Sequence, residues 1–144
     1  MPAIYDGLIF RTALDAQWAG FFDLAGWSWH YNPKPIGNWV PEFRVTFPCR
    51  HSECSGSHSL AVAVVPMADL EGLGGHPALR FAYGLGADEK PIGVDAGALF
   101  GSTPDATTWE MSHGAGGGPA NVPFWVDEAA GYWHQARSLV TVLD

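Results

Sequence analysis

The sequence predicts an α/β fold, a sheet with helices packed against it. Three observations predict it. Apolar residues recur at helical spacing between Thr12 and Gly26. Two strand-like runs, 40–47 and 59–66, enclose a loop carrying two Cys and two His. A second helical pattern occupies 126–143.

The bulk numbers fit one domain over residues 1–144. With 144 residues, 47% hydrophobic content, seven Trp and eight Phe, the chain has material for one sizeable core. Eighteen Gly and eleven Pro call for many turns. The formal charge of −8, from seven basic and fifteen acidic residues, argues against a broad electrostatic grip on nucleic acid. Any DNA contact must then be local. No apolar run reaches the roughly 18 residues that a membrane span needs, and no basic start precedes an apolar leader. The expectation is a cytoplasmic protein with no membrane association. In a reducing compartment, two Cys separated by four residues and flanked by His point to metal rather than a disulfide.

Taken in order, Ile4 to Phe10 reads as a short hairpin turning at Asp6-Gly7. Leu14, Trp18, Phe21, Phe22 and Ala25 make one apolar stripe, which predicts a helix over 12–25 closed by Gly26. Trp27-Ser-Trp-His-Tyr31 alternates and then meets Pro33 and Pro35, the pattern of a short strand. Phe43, Val45 and Phe47 alternate with Glu42, Arg44 and Thr46, so one face of this strand meets the core. The run from Ser59 to Pro66 is apolar on both faces and reads as a central strand. A turn or two of helix is expected at 67–73, a strand at 78–83, loop over 84–104, a last strand at 107–111 and an irregular connection at 112–118. Ala129, Ala130, Trp133, Ala136 and Val140 predict a helix within 126–143, with Asp127 and Glu128 at its positive end.

Cys49, His51, Cys54 and His58 are spaced C-x-H-x2-C-x3-H. Soft thiolates and imidazoles in that density suit a tetrahedral Zn²⁺, and a closed set of four makes the ion structural rather than catalytic. The bland alternative is a polar hairpin loop. His58 has the better separation for a ligand, and His51 has the alternative of facing solvent. His113, beside a Gly-rich run without a Gly-Lys-Ser/Thr ending, reads as loop. The tryptophans read as core rather than as stacking platforms.

Several stretches together carry a resemblance: Tyr5-Asp-Gly-Leu-Ile-Phe-Arg-Thr-Ala-Leu-Asp-Ala-Gln-Trp-Ala-Gly-Phe-Phe22, Trp29-His-Tyr31, Pro41-Glu-Phe43, the Cys/His loop, the strand ending at Pro66 and Trp109-Glu-Met-Ser-His-Gly114. The chain resembles small phage and actinobacterial proteins of the PD-(D/E)XK nuclease superfamily. The resemblance implies a restriction-endonuclease-like αβ sandwich with a central mixed sheet flanked by helices. In that family a helix acid, the acid of a Pro-Asp-Phe step and a Glu-x-Lys pair converge to hold a divalent metal and hydrolyse phosphodiesters.

Carried over, the helix acid falls on Asp15 and the Pro-Asp-Phe acid on Glu42. The Glu-x-Lys pair falls on Ala63 and Val65, which offer neither ligand nor charge. Two acids remain, enough to hold Mg²⁺ weakly. Asp15 has an equal reading as a capping-box partner of Thr12, and Glu42 one as an exposed strand-edge acid. The implied function is a catalytically degenerate nuclease-like domain that acts by binding a protein or DNA, for instance in phage–host interference inside a bacterial or phage-infected cell. The alternative is a metal-dependent DNA nuclease with relocated groups, for which Glu53, Asp69, Glu71 and Arg44 are the nearest candidates.

Overall fold

The structure, a computed structural model, describes residues 1–52, 54–114 and 116–144. The chain opens with the expected hairpin. Strand β1 (Ala3–Tyr5) pairs antiparallel with β2 (Leu8–Phe10), and Asp6 and Gly7 both take positive φ, at 50° and 78°. Two consecutive left-handed residues give the turn whose twist suits a two-residue hairpin.

Helix α1 spans Ala13–Ala25. Thr12 caps it, its hydroxyl accepting from the Asp15 N–H at 3.0 Å, and Gly26 closes it at φ 79°. One face buries Ala16, Trp18, Ala19, Phe21 and Phe22. Each fully buried aromatic of this kind contributes about 1.5–3 kcal/mol of transfer free energy.

That face packs on a six-stranded mixed sheet. Its strands are β3 (Ser28–Tyr31), β4 (Phe43–Pro48), β5 (Ser57–Val64), β6 (Ala96–Phe100), β7 (Thr107–His113) and β8 (Gly116–Ala120), adjacent in that order. All neighbours are antiparallel except β5 and β6, which run parallel with Leu60 opposite Ala96. The fold is therefore α/β with a mixed sheet. After β8 come α2 (Val122–Trp125), α3 (Ala129–Ser138) and β9 (Thr141–Val142), which returns to pair with β1. Gly20 of α1 faces Ala136 of α3, where an added Cβ would already touch Ala136 at 3.4 Å.

The sheet has a core on each side. Leu60 and Val62 of β5 join Trp18, Phe22, Phe43 and Phe100 on the α1 side. Ala61 and Ala63 face the other way, with Trp39, Ala78 and Leu99. Trp18, Trp27 and Trp109 are buried, and Trp29, Trp125 and Trp133 pack against the larger cluster.

Several expectations need correction. Residues 67–73 form turns, not a helix. The stretch expected as a strand at 78–83 lies in 3-10 turns over Pro77–Gly84. Pro77 fixes a helical start, the His76 ring accepts from the Ala78 N–H at 3.1 Å, and Tyr83 and Gly84 turn the chain with positive φ. The supposed loop 84–104 contains β6, the parallel partner of the central strand, with all five residues buried. The strand at 107–111 continues to His113 and is not the last, because 116–120 pairs with it as β8. The C-terminal helix is shorter than 126–143: Val126 ends α2, and β-branched Thr141 and Val142 are drawn into pairing with β1.

Candidate metal centre

At one end of the sheet four side chains converge. Cys49 follows β4, Cys54 lies in the β4–β5 loop, His58 opens β5 and His113 closes β7. One ligand atom from each lies within 4.8 Å of all the others. His113 Nδ1 is 3.6 Å from Cys49 Sγ, 3.5 Å from Cys54 Sγ and 3.4 Å from His58 Nε2. Given metal–sulfur bonds of about 2.3 Å and metal–nitrogen bonds of about 2.0–2.1 Å, a tetrahedral site has S···N edges of roughly 3.5–3.6 Å and N···N edges of roughly 3.3–3.4 Å. The three distances from His113 Nδ1 are those of tetrahedral edges, and the cluster as a whole is compatible with a metal site such as zinc.

The surroundings suit that use. His58 and Cys49 are only 5% and 6% exposed. The Gly114 N–H donates to Cys54 Sγ at 3.3 Å, and the His51 N–H supports the Cys49 sulfur. Burial raises the Cys49 thiol, and neighbouring Cys54 raises it further, so its thiolate needs a positive partner that a divalent cation supplies. Burial also lowers His113, helped by the fields of His51 and His58, which keeps its imidazole neutral. The far nitrogen of His58, Nδ1, is buried without a well-formed hydrogen bond and has Asp95 Oδ2 at 3.4 Å. Asp95 is itself held by the Ser59 N–H at 2.7 Å. A carboxylate behind a ligating imidazole is the usual device for orienting it.

The cluster brings together Cys49, Cys54 and His58 from the sequence-predicted set, with His113 as its fourth member. His51 is exposed, its ring 5.0 Å from that of His113. Gly114, at φ 61°, lets the backbone pass against the His51 ring, where an added Cβ would fall 2.3 Å from it. In the sequence His113 stands far from the Cys/His loop, beside a Gly-rich run that reads as a connection. Its one signal was that the alternation of Thr107 to Met111 continues to it.

At the opposite end of β4 and β5 lie the two acids. Asp15 is 4% exposed and accepts from the Tyr31 hydroxyl at 2.6 Å, while its own N–H goes to the Thr12 cap. Glu42 is half-buried and accepts from the Val64 N–H at 3.0 Å. Burial raises both carboxyls, and the Asp15 charge raises Glu42 further. Tyr31 is pushed up to about 12, by burial and by Asp15. The Arg11 N–H donates to the Tyr31 oxygen at 3.2 Å, and its guanidinium reaches Asn32 and covers the Tyr31 ring. Ala63 and Val65 pack in the cluster on the sheet face away from α1. Asp69 and Glu71 share an exposed turn, Arg44 donates to the Gly93 carbonyl at 3.1 Å, and Glu53 lies outside the described residues.

No family model matches the chain, and no curated protein or solved structure is detectably similar to it. Among the described residues, no helix is long and apolar enough to cross a membrane.

Proposed function

We propose that this chain is a binding domain on a nuclease-like α/β scaffold, clipped by one structural zinc ion and without the machinery to cut. The observation that carries the reading is the state of the acids and of the strand beside them. Asp15 and Glu42 each commit a carboxylate oxygen, to the Tyr31 hydroxyl and to the Val64 N–H, and burial raises both carboxyls above their ordinary range. A Mg²⁺ site needs hard, ionised oxygens facing water. The positions onto which the resemblance carries the Glu-x-Lys pair, Ala63 and Val65, bury apolar surface on the sheet face away from α1. Phosphodiester cleavage depends on positioning and charge stabilisation, so a site without them is slower by orders of magnitude.

Zinc has a different part. Bound to all four donors, the ion would have a closed tetrahedral shell with no position for water or substrate. The ion would join the start of β5 to the end of β7, two strands separated by β6. It would replace the sheet pairing that is missing there, because β6 starts only at the level of Leu60.

The competing reading, a metal-dependent DNA nuclease with relocated groups, draws on the convergence of Asp15, Glu42 and Arg11 at one end of the sheet. A cleavage assay on plasmid and oligonucleotide with Mg²⁺ or Mn²⁺ separates the two. No cutting above buffer is expected. Cutting that Glu42→Ala abolishes would overturn the binding reading. Native mass spectrometry is expected to show one zinc per chain, released by chelator.

A further inference from the structure

On the sheet face away from α1, two adjoining cavities of about 460 and 430 Å³ share Ile36 and Ile92 and form one groove. The first is walled by Trp39 and Phe81, whose rings stack at 5.5 Å and 16°, with Arg80 and Lys90 beside them. The second has Arg44 and Ala61, facing neighbours on β4 and β5, together with Lys34 and His30.

Charge is segregated here. The chain has only seven Lys and Arg against fifteen acids, and Lys34, Arg44, Arg80 and Lys90 all line this groove. No acid is among the described residues that line it, and among the described residues none of the four cations forms a salt bridge. Asp88 and Glu89 precede Lys90 on a 3-10 turn outside the lining. Arg44 is tethered through the Gly93 carbonyl.

Apolar walls with unpaired cations select an anion that also carries flat rings, because the walls take the rings and the cations take the charge. Both cavities lie in the range of a small organic ligand, about 300–1,000 Å³, and each has two cations. A long polyanion is disfavoured, since the chain carries a net charge of −8 and only three of its seven basic residues lie outside the groove.

We propose that this groove binds a dinucleotide-sized ligand, with one base and its phosphate in each cavity. This deepens the binding reading above and rests on it only in that the ligand is held rather than cut.

Isothermal titration of the full chain with AMP, linear pTpT, cyclic di-AMP, a long single strand and oligoglutamate tests it. At least one dinucleotide is expected to bind about tenfold or more tighter than AMP, the equivalent of about 1.4 kcal/mol. Whichever of pTpT and cyclic di-AMP binds better identifies a linear or a cyclic source. Arg80→Glu with Lys90→Glu at one end, and Lys34→Glu at the other, should each weaken binding about tenfold with an unchanged melting curve. Arg137→Glu, outside the groove, should change nothing. Equal affinity for AMP, stronger binding of oligoglutamate or of the long strand, insensitivity to the groove variants, or no binding would each overturn the proposal. Chromatography of the titrated ligand keeps the two readings apart: a cleaved dinucleotide sinks the non-cutting reading and leaves the groove standing.

Discussion

His58 Nε2 and His113 Nδ1 lie 3.4 Å apart although 55 positions separate the residues in the chain. Their direct contact is one long hydrogen bond whose direction depends on the tautomers, and two sulfurs lie beside it, 3.6 and 3.5 Å from His113 Nδ1. Only the folded sheet brings the four donors together, in an arrangement compatible with a metal such as zinc.

Removing a donor should therefore cost both metal and stability. With free zinc at about a thousand times its Kd, binding adds about 4 kcal/mol to the folded state. Cys54→Ser and His113→Ala are expected to lose zinc in native mass spectrometry and to melt several degrees lower. His51→Ala should retain the ion. Zinc lost from His51→Ala and kept by His113→Ala would return the fourth position to the loop.

Asp95 stands behind His58 rather than among the four donors. Asp95→Asn preserves an oxygen for the Ser59 N–H but removes the charge facing His58 Nδ1. Zinc affinity is expected to fall about tenfold to a hundredfold in competition with a chelating dye, with the fold intact by circular dichroism. An unchanged affinity would show that the carboxylate only anchors the backbone.

Asp15 and Glu42 should weaken the protein at neutral pH. Their folded pKa values are raised, by burial first, so the folded state holds its protons more tightly than the unfolded chain. Their contribution is fully favourable below the ordinary carboxylate range and is lost as pH rises through the raised values. Asp15→Asn, which keeps an acceptor for Tyr31, is expected to raise the denaturation midpoint near pH 7 and to lose that advantage in acid. Urea unfolding at a series of pH values reads this directly. A midpoint lowered at neutral pH would mean that the charge itself is needed.

Gly97 is fixed by the backbone that crosses it. A Cβ there would lie 2.0 Å from the Ala78 carbonyl oxygen, where the 3-10 segment presses on β6. Gly97→Ala should destabilise by about 2–3 kcal/mol in urea, whereas Gly74→Ala, in open space, should have little effect.

What was legible in the sequence is what local chemistry specifies. Thr12, Gly26 and the stripe from Leu14 to Ala25 spelled α1, and the alternation of Phe43, Val45 and Phe47 spelled β4. Strand β6 escaped because all five of its residues are buried, so no alternation marks Ala96-Gly-Ala-Leu-Phe100. Its partner β5 lies across a long connection, which period alone does not reveal. The same limit acted on the metal centre. Spacing within the loop named Cys49, Cys54 and His58 but offered His51 as the nearest remaining imidazole, whereas the sheet supplies His113 through the β7–β8 hairpin. Ala78 to Tyr83 misled in the other direction, since its alternation is that of a strand while Pro77 and Tyr83 commit the backbone to turns.

The spread of the four donors along the chain bears on how the protein is made. While it emerges from the ribosome, three donors are in place once His58 has appeared, and the fourth arrives only after the crossover and β6 have been synthesised. An early ion would sit in an open, exchangeable half-site, and its release would slow sharply once β7 delivers His113. Zinc retention in truncated nascent chains would then report the moment at which the sheet is complete.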